Sequence, residues 1–168
     1  MQNRDNARGI DKLRELTKDI PVAMLTTISA DGGLRSRPMA TVELTSGGEL
    51  WFLTSGGSEK AREIAQHMQV NISYVSEADS RYVSVSGSAQ ILHDRSKAEE
   101  LWNPTYRAWF PGGLDDPNLA VLKVTVKRAE YWDAPSSRMV RLYGVVKSLV
   151  TGQPYESAAT ERIDISEL

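Results

Sequence analysis

Cysteine is absent from all 168 residues, which excludes disulfides, thiolate metal sites and cysteine nucleophiles and is compatible with a reducing cytoplasm. Histidine is nearly as scarce. His67 and His93 stand far apart and in neither an HExxH nor a DxH spacing, so no metal site is expected; His67, beside Met68 on a short helix, is expected in solvent. No GxSxG nucleophile elbow occurs. Asp115 and Asp116 adjoin in PGGLDDPN, where neighbouring carboxylates more often cap or solubilise a loop than share acid and base roles. Net charge is also small, with 20 Lys and Arg against 22 Asp and Glu leaving −2, and gives no electrostatic reason to expect nucleic acid or an anionic membrane as partner. No run approaches the ~20 apolar residues of a membrane span, and the opening MQNRDNARGIDKLREL lacks the apolar core of a signal peptide, so a cytoplasmic protein is expected.

What is present has the balance of an ordinary globular protein, 40% hydrophobic and 25% charged, in a chain long enough for one core and short for two. Ile10, Leu13, Leu16 and Ile20 recur at helical spacing over 5–19, and Pro21 ends that helix. PVAMLTTIS then reads as a strand, DGG at 31–33 as a hairpin turn, and LRSRPMATVEL as the return strand. SGGE makes a second turn before the strand LWFLT, and Ala61, Ile64, Ala65 and Met68 mark a short helix. VNISYVS and RYVSVSGSAQIL are strands, with Gly87 expected at a bulge. Asp94 or Ser96 is placed to cap a helix through KAEELWNPTYRAWF that Pro104 must kink or split. LAVLKVTVKRAEYWD is a long closing strand with Leu119, Val121, Lys123 and Thr125 on one face and Ala120, Leu122, Val124 and Val126 on the other. SSRMVRLYGVVKSLV is apolar at helical spacing. Residues 1–150 therefore form one domain, followed by a polar tail over 151–168. Six or so antiparallel strands with a helix inserted midway predict a mainly β fold with flanking helices, a small barrel whose closure removes exposed sheet edges.

Two features carry chemistry. In SGGSEK, residues 55–60, a glycine bend opens a helix; its amides can approach an anion closely, and Lys60 adds a full charge. Arg35 and Arg37 are two apart on a strand and share a face, as two guanidinium groups acting on one phosphate would. The competing reading is that Gly56 and Gly57 turn the chain and Ser58 caps the helix. The stretch is neither a Walker motif nor a dinucleotide fingerprint. Tryptophan is the second feature. Trp51 lies in an apolar strand and reads as core. Trp109, beside Phe110 before a glycine loop, either packs in the core or walls a flat aromatic ligand. Trp132 stands at the end of the closing strand, a usual address for binding residues.

The order of these features, with an arginine on the second strand, Leu-Thr and a Ser-x-Lys junction opening a helix, SGSAQ, and a late EYWD, resembles the pyridoxamine 5′-phosphate oxidase-like split barrels. LWNPTYRAWFPGGLDDPNLAVLKVTVKRAEYWDAPSS is similar to the general stress protein branch, and the resemblance covers roughly residues 10–150. It implies a six-stranded antiparallel split β-barrel, an FMN-binding split barrel, that forms a homodimer with FMN, or FAD, in clefts at the subunit interface. It further implies that Arg37, Ser58 and Lys60 meet the flavin phosphate, that Pro38 and Met39 offer backbone beneath the isoalloxazine edge, and that Thr54 and Ser55 face the ring. Tyr82 stands where the oxidases have a glutamine, and Trp132 matches a tryptophan that reaches the neighbouring cofactor. Glu59 replaces a basic residue, so one phosphate contact is expected to be missing. Arg138 keeps the spacing of a substrate-phosphate arginine, but Val140 and Leu142 replace the histidine and arginine the oxidases use, which argues against vitamin oxidation. The resulting expectation is a flavin-dependent oxidoreductase of a small molecule, or a flavin carrier. No residue is marked as catalytic, and none specifies the electron donor. The alternatives are a non-enzymatic dimeric barrel that binds haem or a deazaflavin, and a partner-binding module in which SGGSEK only caps its helix.

Overall fold

The computed structural model describes residues 2–40, 43–133 and 160–164. The N-terminal helix α1 (Gln2–Thr17) is followed by strands β1 (Val22–Ile28), β2 (Leu34–Ala40), β3 (Glu43–Leu44) and β4 (Glu49–Ser55). Helix α2 (Glu59–Gln66) leads to β5 (Gln69–Ser76) and β6 (Arg81–Leu92). Helix α3 (Arg95–Leu101) is followed by two short 3-10 turns, and the long β7 (Leu119–Asp133) and β8 (Thr160–Asp164) complete the order. The helix read over SSRMVRLYGVVKSLV, together with Arg138, Val140 and Leu142, lies outside the described residues. Within the stretch read as a polar tail, residues 160–164 pair with β7.

The strands form one antiparallel sheet in the order β2-β1-β5-β6-β7-β4-β3, with β8 beside β7. Six of them run seven residues or longer, as expected for a split barrel, and the short β3 and β8 bring the described total to eight. β2 approaches β4 with no ladder between them among the described residues, so the sheet curls into a barrel that is open along this seam. Local chemistry fixes the corners. In the DGG turn Gly32 takes φ +81°, a left-handed conformation natural to glycine, while the Ser29 amide donates to the Gly33 carbonyl at 2.8 Å. The register between β6 and β7 shifts at Ser86/Gly87, the expected bulge; a Cβ on Gly87 would sit 2.5 Å from the Thr125 carbonyl oxygen.

The core lies inside the curl. Leu25, Phe52, Ile72, Tyr74, Val85, Leu122 and Val124 are fully buried there, and α1 seals it with Ile10, Leu13 and Leu16. A second cluster sits on the other face of β4 and β7, where Ala98, Leu101 and Phe110 cover Trp51, Leu53 and Val121. The closing strand thus buries Ala120, Leu122, Val124 and Val126 on one of the faces read from its alternation and Val121 on the other, where Leu119 and Lys123 are half-buried and Thr125 is exposed. Asp94 caps α3, its carboxylate accepting from the Lys97 amide at 2.9 Å, and the helix ends before Pro104, which opens the first 3-10 turn. Helix α2 differs from its sequence reading. It buries Ala61, Glu63 and Ile64, while Ala65 and Met68 face solvent and His67 is half-buried. The reason is a polar one, seen at the junction with β2.

Candidate functional site

The strand-to-helix junction at Ser55–Lys60 lies against the end of the β1–β2 hairpin. Alternation along β2 puts Arg35, Arg37 and Met39 opposite Thr27, Leu25 and Ala23 of β1, on the face that turns toward α2. Met39 enters the core and the two arginines continue past it. Glu63, only 5% exposed, rises from α2 to meet them. Its Oε2 accepts from Arg37 Nη2 at 2.8 Å and from the Thr27 hydroxyl at 2.6 Å, and Thr27 in turn accepts from Arg37 Nη1. This triangle rotates α2 so that a carboxylate, rather than Ala65 or Met68, faces inward. Burial alone would raise the Glu63 pKa; the hydrogen bonds from Thr27 and Arg37 outweigh it and hold the carboxyl below the ordinary glutamate value. Arg35 is bound by Glu59 and lies 3.6 Å from Glu63 Oε1.

Lys60 is the exception among these charges. It is half-buried, no carboxylate pairs with it among the described residues, and burial followed by repulsion from Arg37 lowers its pKa. On α2 it follows Glu59, which holds Arg35, and precedes by three residues Glu63, which holds Arg37. Ser58 caps α2: its hydroxyl donates to the Ser55 carbonyl at 2.7 Å and accepts from the Ala61 amide at 3.3 Å. The capping reading of SGGSEK is therefore correct, and it coexists with a basic cradle. At Gly57 a Cβ would meet nothing within 4 Å, so the backbone of the bend is open to an approaching group, whereas Gly56 is closed by the His93 ring. The Thr54 hydroxyl, at the end of β4, is buried with no hydrogen-bond partner among the described residues. An ammonium without a counter-charge, a guanidinium with N–H groups to spare and an open glycine bend fit the phosphate of a bound nucleotide.

The remaining predicted residues fall into two further places. On the outer face of the sheet, Val75, Tyr82 and Trp132 lie side by side across β5, β6 and β7, Val22 opens β1 two residues before Met24, and Pro38 stands on β2 beside Met24. Val22 is 51% exposed, Val75 56% and Tyr82 43%. Beyond the apolar Met24 and Pro38, polar groups of these strands bond to one another, Thr26 to Ser36 at 2.7 Å and Asn71 to Ser84 at 2.8 Å. Trp109 is elsewhere: 70% exposed, it ends the aromatic series Trp102, Tyr106, Trp109 on the layer that covers β4 and β7, with 6.4 Å between the Tyr106 and Trp109 rings. Within one chain the structure brings Arg37, Ser58 and Lys60 together, with Met39, Thr54 and Ser55 adjoining along their strands, but brings neither Trp109 nor the Tyr82–Trp132 pair to them. Sequence reasoning missed Thr27 and Glu63. A glutamate three residues after Lys60 was the available signal, and its meaning depends on where α2 sits.

A family model described as pyridoxamine 5′-phosphate oxidase like matches residues 8–156. Protein bli-3 of Neurospora crassa is 32% identical over 140 residues, which take in 78% of this chain and 67% of that protein. Among solved structures, the general stress FMN/FAD binding protein from Xanthomonas citri is 33% identical with a TM-score of 0.64, over 73% of this chain and 87% of its own. General stress protein 26 from Bacillus anthracis is 22% identical with a TM-score of 0.65, over 73% and 92% of the respective chains, and is a likeness of fold.

Proposed function

The chain belongs to the pyridoxamine 5′-phosphate oxidase-like family, and from that premise we propose that it is a flavin-binding protein of general stress type, holding FMN or FAD by a phosphate in the β2–α2 cradle. The observation that carries this reading is Lys60, a half-buried cation that lacks a carboxylate partner among the described residues and stands close enough to Arg37 to be disfavoured by it. An anionic ligand removes that penalty. Arg37 is already oriented by Glu63 and Thr27, so it loses little freedom on binding. A flavin supplies two-electron redox chemistry; the chain's own residues bind it, orient it and control access to it.

The exposed Val22, Val75 and Tyr82, with the half-buried Trp132 beside Tyr82, form the surface on which two copies pair in this reading. Pairing adds residues of the second copy to the flavin site, which is how Trp132 and Trp109, remote from the cradle within one chain, reach a ring. The reaction is the reduction of a small molecule, or flavin is carried without turnover. Oxidation of pyridoxamine phosphate is disfavoured because Val140 and Leu142 offer no charge to a substrate phosphate.

The visible spectrum of the purified protein tests the reading, with oxidised-flavin bands expected either as isolated or after adding FMN or FAD. The double variant Arg37→Ala/Lys60→Ala is expected to weaken flavin nucleotide binding by about 2–5 kcal/mol in total. Unchanged affinity rejects the cradle.

A further inference from the structure

Among the lysines of the described residues, Lys60 has surroundings of its own. Lys12, Lys97 and Lys123 each pair with a glutamate, and Lys18 and Lys127 are exposed. Lys60 is half-buried and has no carboxylate partner among the described residues, because both acids of α2 are already engaged, Glu59 by Arg35 and Glu63 by Arg37 and Thr27. Burial and repulsion from Arg37 lower its pKa, so a larger share of Lys60 than of an ordinary lysine stands as the free amine in mildly alkaline solution. A desolvated amine beside another cation is a nucleophile. The first turn of α2 also offers the amides of Glu59 and Lys60, which find no acceptor among the described residues, and it follows directly from the open bend at Gly57. A nucleophile and the groups suited to hold a phosphoryl group thus belong to one cluster.

We propose that Lys60 is a site of acylation by acyl phosphates, whose phosphoryl group the cradle holds while the Lys60 amine attacks the carbonyl carbon. This inference rests on reading the junction as a phosphate cradle, whichever ligand that cradle serves. In an acyl phosphate the carbonyl carbon is joined directly to a phosphoryl oxygen, so holding the phosphoryl group beside Arg37 and the bend brings that carbon to an amine of the same cluster. A phosphorylated sugar, with further carbons in between, carries its carbonyl away from it. In the step, Nζ forms a bond to the carbonyl carbon, the bond from that carbon to the bridging oxygen breaks, phosphate leaves with the electron pair, and the nitrogen gives up a proton to water; nothing is oxidised or reduced. Arg37 and the free amides stabilise the phosphate as it gains charge on leaving. The product is an uncharged amide. Lys60 then has no ammonium to offer a flavin phosphate, so acylation and flavin nucleotide binding oppose one another.

The test is to incubate the flavin-stripped full chain with acetyl phosphate in mildly alkaline buffer and to follow acetylation of each lysine by peptide mass spectrometry. Lys60 is expected to react about tenfold faster than the exposed Lys18 and Lys127. Inorganic phosphate and FMN are each expected to suppress the reaction at Lys60, and Arg37→Ala to slow it toward the rate of the exposed lysines. Acetic anhydride, which has no phosphoryl group, is the comparison: the preference for Lys60 is expected to be smaller with it than with acetyl phosphate. Protein acetylated at Lys60 is expected to bind FMN about tenfold more weakly. Reaction at Lys60 no faster than at Lys18 and Lys127, a rate that inorganic phosphate leaves unchanged, or an equal preference with acetic anhydride would overturn the proposal in the wild type alone, whether or not Arg37→Ala folds, and would leave flavin binding intact. If FMN neither binds nor protects while inorganic phosphate does protect, the flavin reading falls and the acylation site stands.

Discussion

The Arg37–Thr27–Glu63 triangle has consequences that a conventional surface ion pair would not. Removing one member of a buried, hydrogen-bonded pair leaves the other without a partner, so Glu63→Ala is expected to cost about 2–3 kcal/mol in chemical denaturation. Its pKa gives the sign of a pH dependence. The folded-state value lies below the ordinary glutamate value near 4.5, so the carboxylate contributes its full stability above that value and loses it as pH falls through the folded one. Acid unfolding of Glu63→Gln is therefore expected to show a shallower decline below about pH 4.5 than the wild type. Lys60 runs the other way: its pKa is lowered, so the folded ligand-free protein disfavours the charged form. Lys60→Met is expected to raise the denaturation midpoint of the flavin-free protein while weakening flavin nucleotide binding, a separation of stability from function visible by comparing melts with and without ligand. Arg37 and Lys60 were legible in the sequence because strand alternation and a glycine junction each specify a direction locally. Glu63 and Thr27 were not, since a charged residue on a short helix normally faces water and only the seating of α2 on the β1–β2 hairpin reveals that this one does not.

At the scale of elements, the junction before α2 is held by its cap. Ser58→Ala is expected to cost about 1 kcal/mol of stability through loss of the bond from the Ala61 amide, and to weaken flavin nucleotides further if the bend moves. In the bulge of β6, any side chain at residue 87 meets the Thr125 carbonyl, a backbone atom that cannot swing aside, so Gly87→Ala is expected to destabilise by about 1–3 kcal/mol in the same assay. Both elements were readable in advance, the cap from a serine ahead of a helical run and the bulge from a glycine interrupting Tyr82, Ser84, Ser86 alternation. β8 was not readable. Its sequence TERID contains a single apolar residue, Ile163, and an edge strand needs no more, because Ile163 packs against Gly9 of α1 and Arg162 pairs with Glu130 at 2.6 Å along the neighbouring strand. The face of α2 was misread for a related reason: hydrophobic spacing ranks Ala65 and Met68 above a glutamate, and the guanidinium waiting across the gap reverses that order.

For the molecule as a whole, the outer face is the feature that the interior does not explain. The interface reading of the surface formed by Val22, Val75, Tyr82 and Trp132 makes a concrete expectation: light scattering on the eluting protein should give twice the 18.6 kDa of the chain. Val75→Asp places a charge on that surface and is expected to yield a folded monomer, judged by an unchanged far-ultraviolet spectrum, with weakened flavin affinity. A dimer that survives Val75→Asp with flavin bound would move the contact to another surface. The long strand β7 has its own bearing on the whole. Bonded to β6 along nearly its entire length, to β4 over its first half and to β8 over its second, it is the one strand among those described whose backbone is shared by three others. Deuterium uptake should follow from this: amides of β7 bonded between β6 and β4 are expected to be among the last to exchange, while those of the β1–β2 hairpin, whose only ladder to the rest of the sheet is through β5 and whose further tie is Glu63 of α2, open earlier and carry Arg37 with them. Ligand capture at the cradle would then register as slowed exchange in the hairpin, many residues away in sequence from the protected centre of the sheet.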